Sequence, residues 1–295
     1  MELRHLRYFL AVAETGSLTI AAEKRLHTSQ PSLSRQIRDL EEQVGVDLLI
    51  RSTKGVELTP AGKAFLDHAK LALTQVDAAI EAARRAATPA KQRLALGFLT
   101  GQEMTWLPRA MSLLREELPN IDVTVSSDYS PDLAEGLARG KLDAAFLRAE
   151  PGFDLTYYPV CKEPFVVLMP SDHPLSERES IRPQDLMGEK FIAMANKARV
   201  LRGVIDGYLQ KEGITVEATS GVDNPAMVMS LVASTRGITL IPNYVEKLMP
   251  WSVISRPLLN PPTVDLCVGY SKANASPLLS LFISRLSQLA ELEIN

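Results

Sequence analysis

Between Thr28 and Gly45 the chain carries Ser29, Gln30, Pro31, Ser32, Ser34, Arg35 and Arg38 opposite a stripe of Leu33, Ile37, Leu40 and Val44 at three- and four-residue spacing. That apolar spacing belongs to an amphipathic helix that buries one side. The polar side holds groups that read a duplex: a Gln amide matches adenine, an Arg fork matches guanine, and hydroxyls reach phosphate. A solvated helix face has the same composition, so the chemistry depends on what presents it. Downstream, Arg51 and Lys54 sit near a Thr53-Lys54-Gly55 turn, from which cations reach backbone phosphates or a narrow minor groove. Catalytic patterns are missing. His5, His27, His68 and His173 fall in unrelated segments, neither G-x-S-x-G nor H-E-x-x-H occurs, and Asp172-His173-Pro174 fits a surface turn. Cys161 and Cys267 are too few and too unpatterned for a metal site or a disulfide framework. The expectation is therefore no enzyme, no metal and no cofactor.

The elements in front of Thr28 supply the presentation. Leu3, Leu6, Phe9, Leu10 and Ala13 make LRHLRYFLAVAET a first helix packed by one side, ended at Thr15-Gly16-Ser17. Ser17 caps a short second helix, LTIAAEKRL, whose Ala21, Ala22 and Leu26 allow a neighbouring helix close approach. His27 and Thr28 turn the chain into the third helix. Thr28 or Ser29 caps it, Pro31 lies in its first turn where a missing N–H costs nothing, and Gly45 follows its end. Two helices joined by a tight turn, the second exposing Gln and Arg at its N-terminal end, form a helix-turn-helix. DLLIRS and GVELT then suit a small hairpin, a wing beside it.

Thr59-Pro60-Ala61-Gly62 opens a long helix of high intrinsic propensity that runs to Arg85. Its seam, Phe65, Ala69, Ala72, Val76, Ala79, Ile80 and Ala83, is longer than a small winged domain can cover, which points to a partner chain. Ala86 to Gln92, containing Pro89, loses the pattern and reads as a hinge.

MELRHLRYFLAVAETGS, AAEKRLHTSQPSLSRQIRDLEEQVGVDLL and RSTKGVELTPAGKAF together resemble the winged helix-turn-helix of the LysR-type transcriptional regulators. The resemblance implies that Gln30, Pro31, Ser34 and Arg35 face double-stranded DNA, with Ser29, Ser32 and Arg38 nearby and Lys54 on the wing. Three residues separate Ala22 from Leu26 where the family pattern carries two, which implies a slightly longer second helix.

From Arg93 short apolar runs alternate with amphipathic helices, the signature of α/β units with a mostly parallel sheet. RLALGFL, DVTVSS, LDAAFLR, FVVLMP, KFIAMA, GITLIP and TVDLCVGY read as strands. Met104 to Glu117, SPDLAEGLARG, VLRGVIDGYLQKEG, NPAMVMSLVAST and Pro277 to Leu292 read as helices. Crossovers near Tyr158 to Lys162 and Thr263 to Val268 would join two lobes, resembling the periplasmic-binding-protein architecture that LysR regulators use as effector domain. The runs G-F-L-T-G at Gly97, L-x-x-G-x-L-D-A-A-F at Leu137, S-D-H-P-L at Ser171 and G-I-T-L-I-P at Gly237 carry that resemblance.

In such a fold a ligand sits between the lobes, outside the carboxyl ends of strands and at helix N-termini. Thr100, Gly101 and Gln102 follow the first strand and offer a hydroxyl, an amide and free backbone N–H groups to an anion. Ser130 holds the matching place after the second strand, and Arg148, at the end of the third, could clamp a carboxylate. Resemblance to the family's pocket adds Asn196, Arg199, Val200, Leu201, Asn224 and Met227. The set implies a small organic acid, and the likeness of MELRHLRYF and SQPSLSRQIRDLE to regulators of aromatic-acid catabolism points to an aromatic one.

The fold class expected is α/β: an N-terminal winged helix-turn-helix (1–58), a linker and dimerisation helix (59–88), and a two-lobed effector domain with lobe I at 89–161 and 268–295 and lobe II at 162–267. The resemblance further implies a homodimer through the linker helix, a homotetramer by pairing of dimers, and RNA polymerase as a further partner. With 46% hydrophobic and 23% charged residues, no membrane-length apolar stretch and no leader-like N-terminus, a cytoplasmic protein is expected. A periplasmic solute receptor shares the two-lobed module but not the DNA-reading segment. The net charge of -3 does not advertise nucleic-acid binding, yet residues 1–89 are near neutral and local cations, not the sum, meet phosphates.

Overall fold

Helix α1 (Leu3–Thr15) stops at Gly16, whose φ of 61° lets its N–H return to the Val12 carbonyl. Ser17 then caps α2 (Leu18–Ile20) by accepting a bond from the Ile20 N–H, 3.3 Å. The helix widens into a π-helical turn over Ala21–Leu26, which absorbs the additional residue that the sequence pattern showed. A π turn inserts one residue without rotating the packed face, so Ala21 and Ala22 stay fully buried. In α3 (Gln30–Val44) Ser29 is the cap, accepting from the Ser32 N–H at 3.4 Å, and Gly45 ends the helix at φ 83°. Strands β1 (Leu49–Ser52) and β2 (Gly55–Leu58) pair antiparallel, Leu49 opposite Leu58.

Helix α4 (Pro60–Ala87) begins against the wing: a Cβ on Gly62 would lie 2.0 Å from the Leu48 carbonyl oxygen, so only glycine permits this approach. Phe65 meets Phe9 edge-on at 5.2 Å, joining α4 to a core of Phe9, Val12, Leu33, Ile37, Leu40 and Leu48. Farther along, Ala79, Ile80 and Ala83 leave that core and are exposed. The helix continues through Ala87, into the stretch expected to be a hinge. Pro89 lies outside the described residues, which are 1–52, 55–87, 92–222 and 224–289 of this computed structural model.

Contacts divide the chain into Met1–Ala87 and Thr88–Asn295. In the second unit β3 (Gln92–Leu99) lies parallel to β4 (Ile121–Asp128) on one side and β5 (Ala144–Leu147) on the other. Helix α5 (Glu103–Leu113) follows β3, and α6 (Ser130–Ala138) follows β4. The spine is β6 (Thr156–Pro170), one continuous 15-residue strand where the sequence showed two pieces. Its first part pairs antiparallel with β11 (Thr263–Tyr270), which also pairs with β5. Its second part pairs antiparallel with β9 (Thr239–Pro242) and β10 (Val253–Pro257). A separate parallel pair, β7 (Lys190–Met194) and β8 (Glu217–Val222), belongs to the second lobe with α7 (Arg199–Lys211) and α8 (Pro225–Thr235).

Each lobe has its own core. In the first, Phe98 stacks on Phe146 at 5.0 Å and Trp106 lies 5.7 Å from the same ring. The second packs Val167, Leu168, Ile192, Ile238 and Leu240. Three helix and strand expectations need correction. Helix α5 ends at Leu113, not Glu117, because tighter turns (Leu114 N–H to Met111 O, Glu117 N–H to Leu114 O) drive Leu114 into the core. The last helix, α9 (Pro277–Ser284), gives way to a 3-10 turn at Leu286–Leu289 that buries both leucines. Strands β8 and β10 were not anticipated, since EATSGV and VISRP lack apolar alternation.

Candidate nucleic-acid interface and ligand cleft

The duplex-reading residues gather on one surface of the first unit. Gln30, Pro31, Ser32, Arg35 and Arg38 are exposed, while Ser34 is half-buried. Burial of Leu33, Ile37 and Leu40 fixes which side of α3 faces outward. Among the described residues Gln30, Arg35 and Arg38 make no side-chain hydrogen bond or ion pair, so their donors remain available. Ser29 spends its oxygen as an acceptor on the helix cap. Arg51 departs from expectation: its Nη2 lies 3.0 Å from Glu41 Oε2 and the side chain turns back onto α3. Glu41 Oε1 also accepts from the Leu48 and Leu49 N–H groups at 2.9 and 3.0 Å. One buried carboxylate thus fastens the lead-in of the wing to the exposed helix. Lys54 lies outside the described residues.

Between the lobes of the second unit a cleft is lined by Thr100, Tyr129, Ser130, Arg148, Glu150, Asn224, Val200, Leu201 and Tyr244, with apolar walls from Leu99, Met194, Ala198, Pro225, Val228 and Ile241. Six of the expected residues meet there: Thr100, Ser130 and Arg148 from the first lobe, Val200, Leu201 and Asn224 from the second. Asn224 Oδ1 accepts from the Met227 N–H as the cap of α8, leaving its amide N–H groups for other use.

Other expectations fail for identifiable reasons. The backbone N–H groups after β3 are all engaged: Thr100 to the Asp128 carbonyl, Gly101 to Glu103 Oε2 at 2.7 Å, and Gln102 to the Leu99 carbonyl. Gly101 instead admits the second lobe, because a Cβ there would come within 2.9 Å of Leu248 and 3.0 Å of Tyr244, at φ +91°. Gln102 is buried away from the cleft, donating to Glu163 Oε1 at 2.7 Å and accepting from the Trp106 indole at 3.1 Å. Asn196 accepts from Arg202, and Arg199 and Met227 are exposed outside the lining.

Arg148 is 3% exposed and pairs through Nη2 with Glu163, itself 5% exposed. Its Nε and Nη1 are buried without a hydrogen-bond partner among the described residues. Buried donors left unmade cost of order 1–3 kcal/mol each, so this guanidinium is prepared for an acceptor that enters the cleft. Glu163, Glu150, Tyr129 and Tyr244 were not read from the sequence; the signal for Glu150 was its two-residue spacing from Arg148, which returns a side chain to the same side of an extended segment. Burial pushes the Cys161 thiol up to about 12, with Glu163 adding to the effect, so that sulfur is a poor nucleophile and a poor redox centre. Among the described residues no cluster of His, Cys, Asp and Glu could hold a metal ion.

Residues 3–63 match the family model for the bacterial regulatory helix-turn-helix protein of the lysR family, and residues 87–291 match the LysR substrate binding domain. The chain is 36% identical over 288 residues to the Hca operon transcriptional activator HcaR of Escherichia coli (strain K12), covering 96% of each. It is 34% identical to the HTH-type transcriptional regulator AlsR of Bacillus subtilis (strain 168), covering 96% of this chain and 94% of that one. Full-length CbnR complexed with its target DNA superposes with a TM-score of 0.57 at 25% identity, covering 98% of this chain and all of that one (100%).

Proposed function

Because the chain belongs to the LysR family of transcriptional regulators, we propose that its cleft takes a small organic acid, its carboxylate held by Arg148, and that this acid controls operator binding or activation. The protein is a DNA-binding regulator with an effector-binding domain, not an enzyme. The observation that carries the effector reading is that two guanidinium nitrogens of Arg148, a residue lining the cleft, have no hydrogen-bond partner among the described residues. Apolar lining around one fixed cation suits an acid with an apolar body, and an aromatic body follows from the N-terminal likeness described above.

DNA contacts are assigned to Ser29, Gln30, Pro31, Ser32, Ser34, Arg35 and Arg38, and to Lys54 by its place in the sequence; Arg51 serves chiefly to hold the wing. The exposed end of the α4 seam supports a homodimer through that helix, and pairing of two dimers gives a tetramer with four α3 helices on two neighbouring sites. RNA polymerase is a further partner of such an assembly. Among the described residues no helix is long and apolar enough to cross a membrane, and the DNA-reading role supports a cytoplasmic location. An acid that favours one lobe arrangement would shift the populations of the assembly and so the bend of its DNA.

The test is a thermal-shift screen of the full chain against small organic acids, followed by footprinting with and without the best stabiliser. A ligand at about 100 times its Kd should add about 2.7 kcal/mol of stability, and Arg148→Gln should abolish the gain while leaving operator binding without ligand intact. Stabilisation of the Gln variant equal to that of the wild type removes Arg148 from the site.

A further inference from the structure

Glu150 places a second charge in the cleft. Of the residues that line it, Arg148 is the one cation and Glu150 the one carboxylate among the described residues. Glu150 is 6% exposed, and its carboxylate makes no hydrogen bond or ion pair with any described residue. Its backbone, by contrast, is pinned: the Glu150 N–H donates to the Tyr157 hydroxyl at 3.3 Å, and that hydroxyl donates to the Glu150 carbonyl at 3.1 Å. The side chain therefore projects from a fixed point two residues beyond Arg148.

This arrangement sets a condition on the ligand, and it rests on the reading of Arg148 as the acid's partner. Glu163 already offsets the charge of Arg148. A plain carboxylate entering beside Arg148 would then face Glu150 as a like charge only partly offset by Arg199, which disfavours both. Burial raises the Glu150 carboxyl above the ordinary range, opposed more weakly by Arg199 from the other lobe. A donor on the ligand would bond this carboxylate and convert the repulsion into a charge-assisted bond. We propose that Glu150 makes the cleft selective for an acid that also carries a hydrogen-bond donor, a hydroxyl or an ammonium group, over the parent acid without one.

The experiment is calorimetric titration of the full chain with matched probes: benzoate against ortho-, meta- and para-hydroxybenzoate, and butanoate against beta-hydroxybutanoate and beta-aminobutanoate. At least one donor-bearing acid should bind about tenfold or more tightly than its parent, the scale of a hydrogen bond to a charged group. The two arms separate hydroxyl from ammonium. In Glu150→Gln the preference should fall to about threefold or less, with the parent acid gaining affinity as the like charge disappears. Glu150→Asp should retain part of the preference, and it serves as the charged variant should the amide fold poorly. Equal or tighter binding of the parent acids, or a preference unchanged in Glu150→Gln, overturns the inference. Loss of all binding in Arg148→Gln together with an unchanged preference in Glu150→Gln sinks the inference alone. Indifference of every acid to Arg148→Gln, or no heat from any probe with the wild type, sinks the underlying reading as well.

Discussion

A single side chain decides little until its partners are known, as Arg35 and Arg148 show from opposite directions. Arg35 is legible in the sequence because the stripe of Leu33, Ile37 and Leu40 leaves it no inward choice, and it is exposed without a side-chain partner among the described residues. An Arg fork placed this way reads guanine through two bonds, so Arg35→Ala should cost about 1–3 kcal/mol on the operator and relax the preference at one base position. Titration of operator and scrambled duplexes at one salt concentration measures it. An equal loss on both would assign Arg35 to the phosphates instead. Arg148 was legible as a strand-end cation, but not its buried pairing with Glu163, fifteen residues away on β6. Gln102 stands before a helix in the sequence, but its pairing with Glu163 and with Trp106 overrides that local logic. Local spacing identifies which chemistry is present; only the fold shows which groups are already spent.

At the scale of elements, apolar period and caps account for α1, α3 and α4, and for the strands with continuous apolar runs. What they missed has little local signal: β8 and β10 gain their pairing from neighbours, and the π turn after α2 is a response to one additional residue. Glu41 belongs here too. As an acidic residue near the end of an amphipathic helix it looks solvated, yet it is 9% exposed and accepts from two backbone N–H groups of the wing's lead-in while pairing with Arg51. Glu41→Ala would leave those two donors unsatisfied, a penalty of about 1–3 kcal/mol each before relaxation. The expected readout is local: faster amide hydrogen exchange at Leu48 and Leu49, by about tenfold or more if one such penalty persists, with weaker operator binding as the wing loosens. Unchanged protection at both amides would show that the β1 and β2 hairpin holds itself in place.

At the scale of the whole effector unit, the two lobes face each other across the cleft and are bridged beside it. An acid that binds between the lobes enters by an opening of the cleft. Two cross-lobe contacts resist that opening. Lys197 Nζ lies 2.6 Å from Asp132 Oδ2 and 5.0 Å from the Tyr129 ring, and Lys247 Nζ donates to Thr105 Oγ1 at 3.1 Å. The Lys197 side chain is 48% exposed and that of Asp132 31%, so water and salt reduce the pair to about 0–1 kcal/mol, with about 0.5–1 kcal/mol from the cation over the ring. Replacing Lys197 by Met should therefore raise the open fraction by about twofold to thirtyfold, the factor set by about 0.5–2 kcal/mol. If the closed liganded form keeps the same contact, empty and liganded closed states are destabilised alike. Association and dissociation of an acid should then both accelerate by that factor while Kd moves less than about twofold. Stopped-flow mixing of the full-length Lys197→Met protein with a bound probe acid separates the two rates. Dissociation that quickens while association stays as in the wild type would mean that Lys197 clasps Asp132 only after the acid is inside, and that opening is limited by another contact.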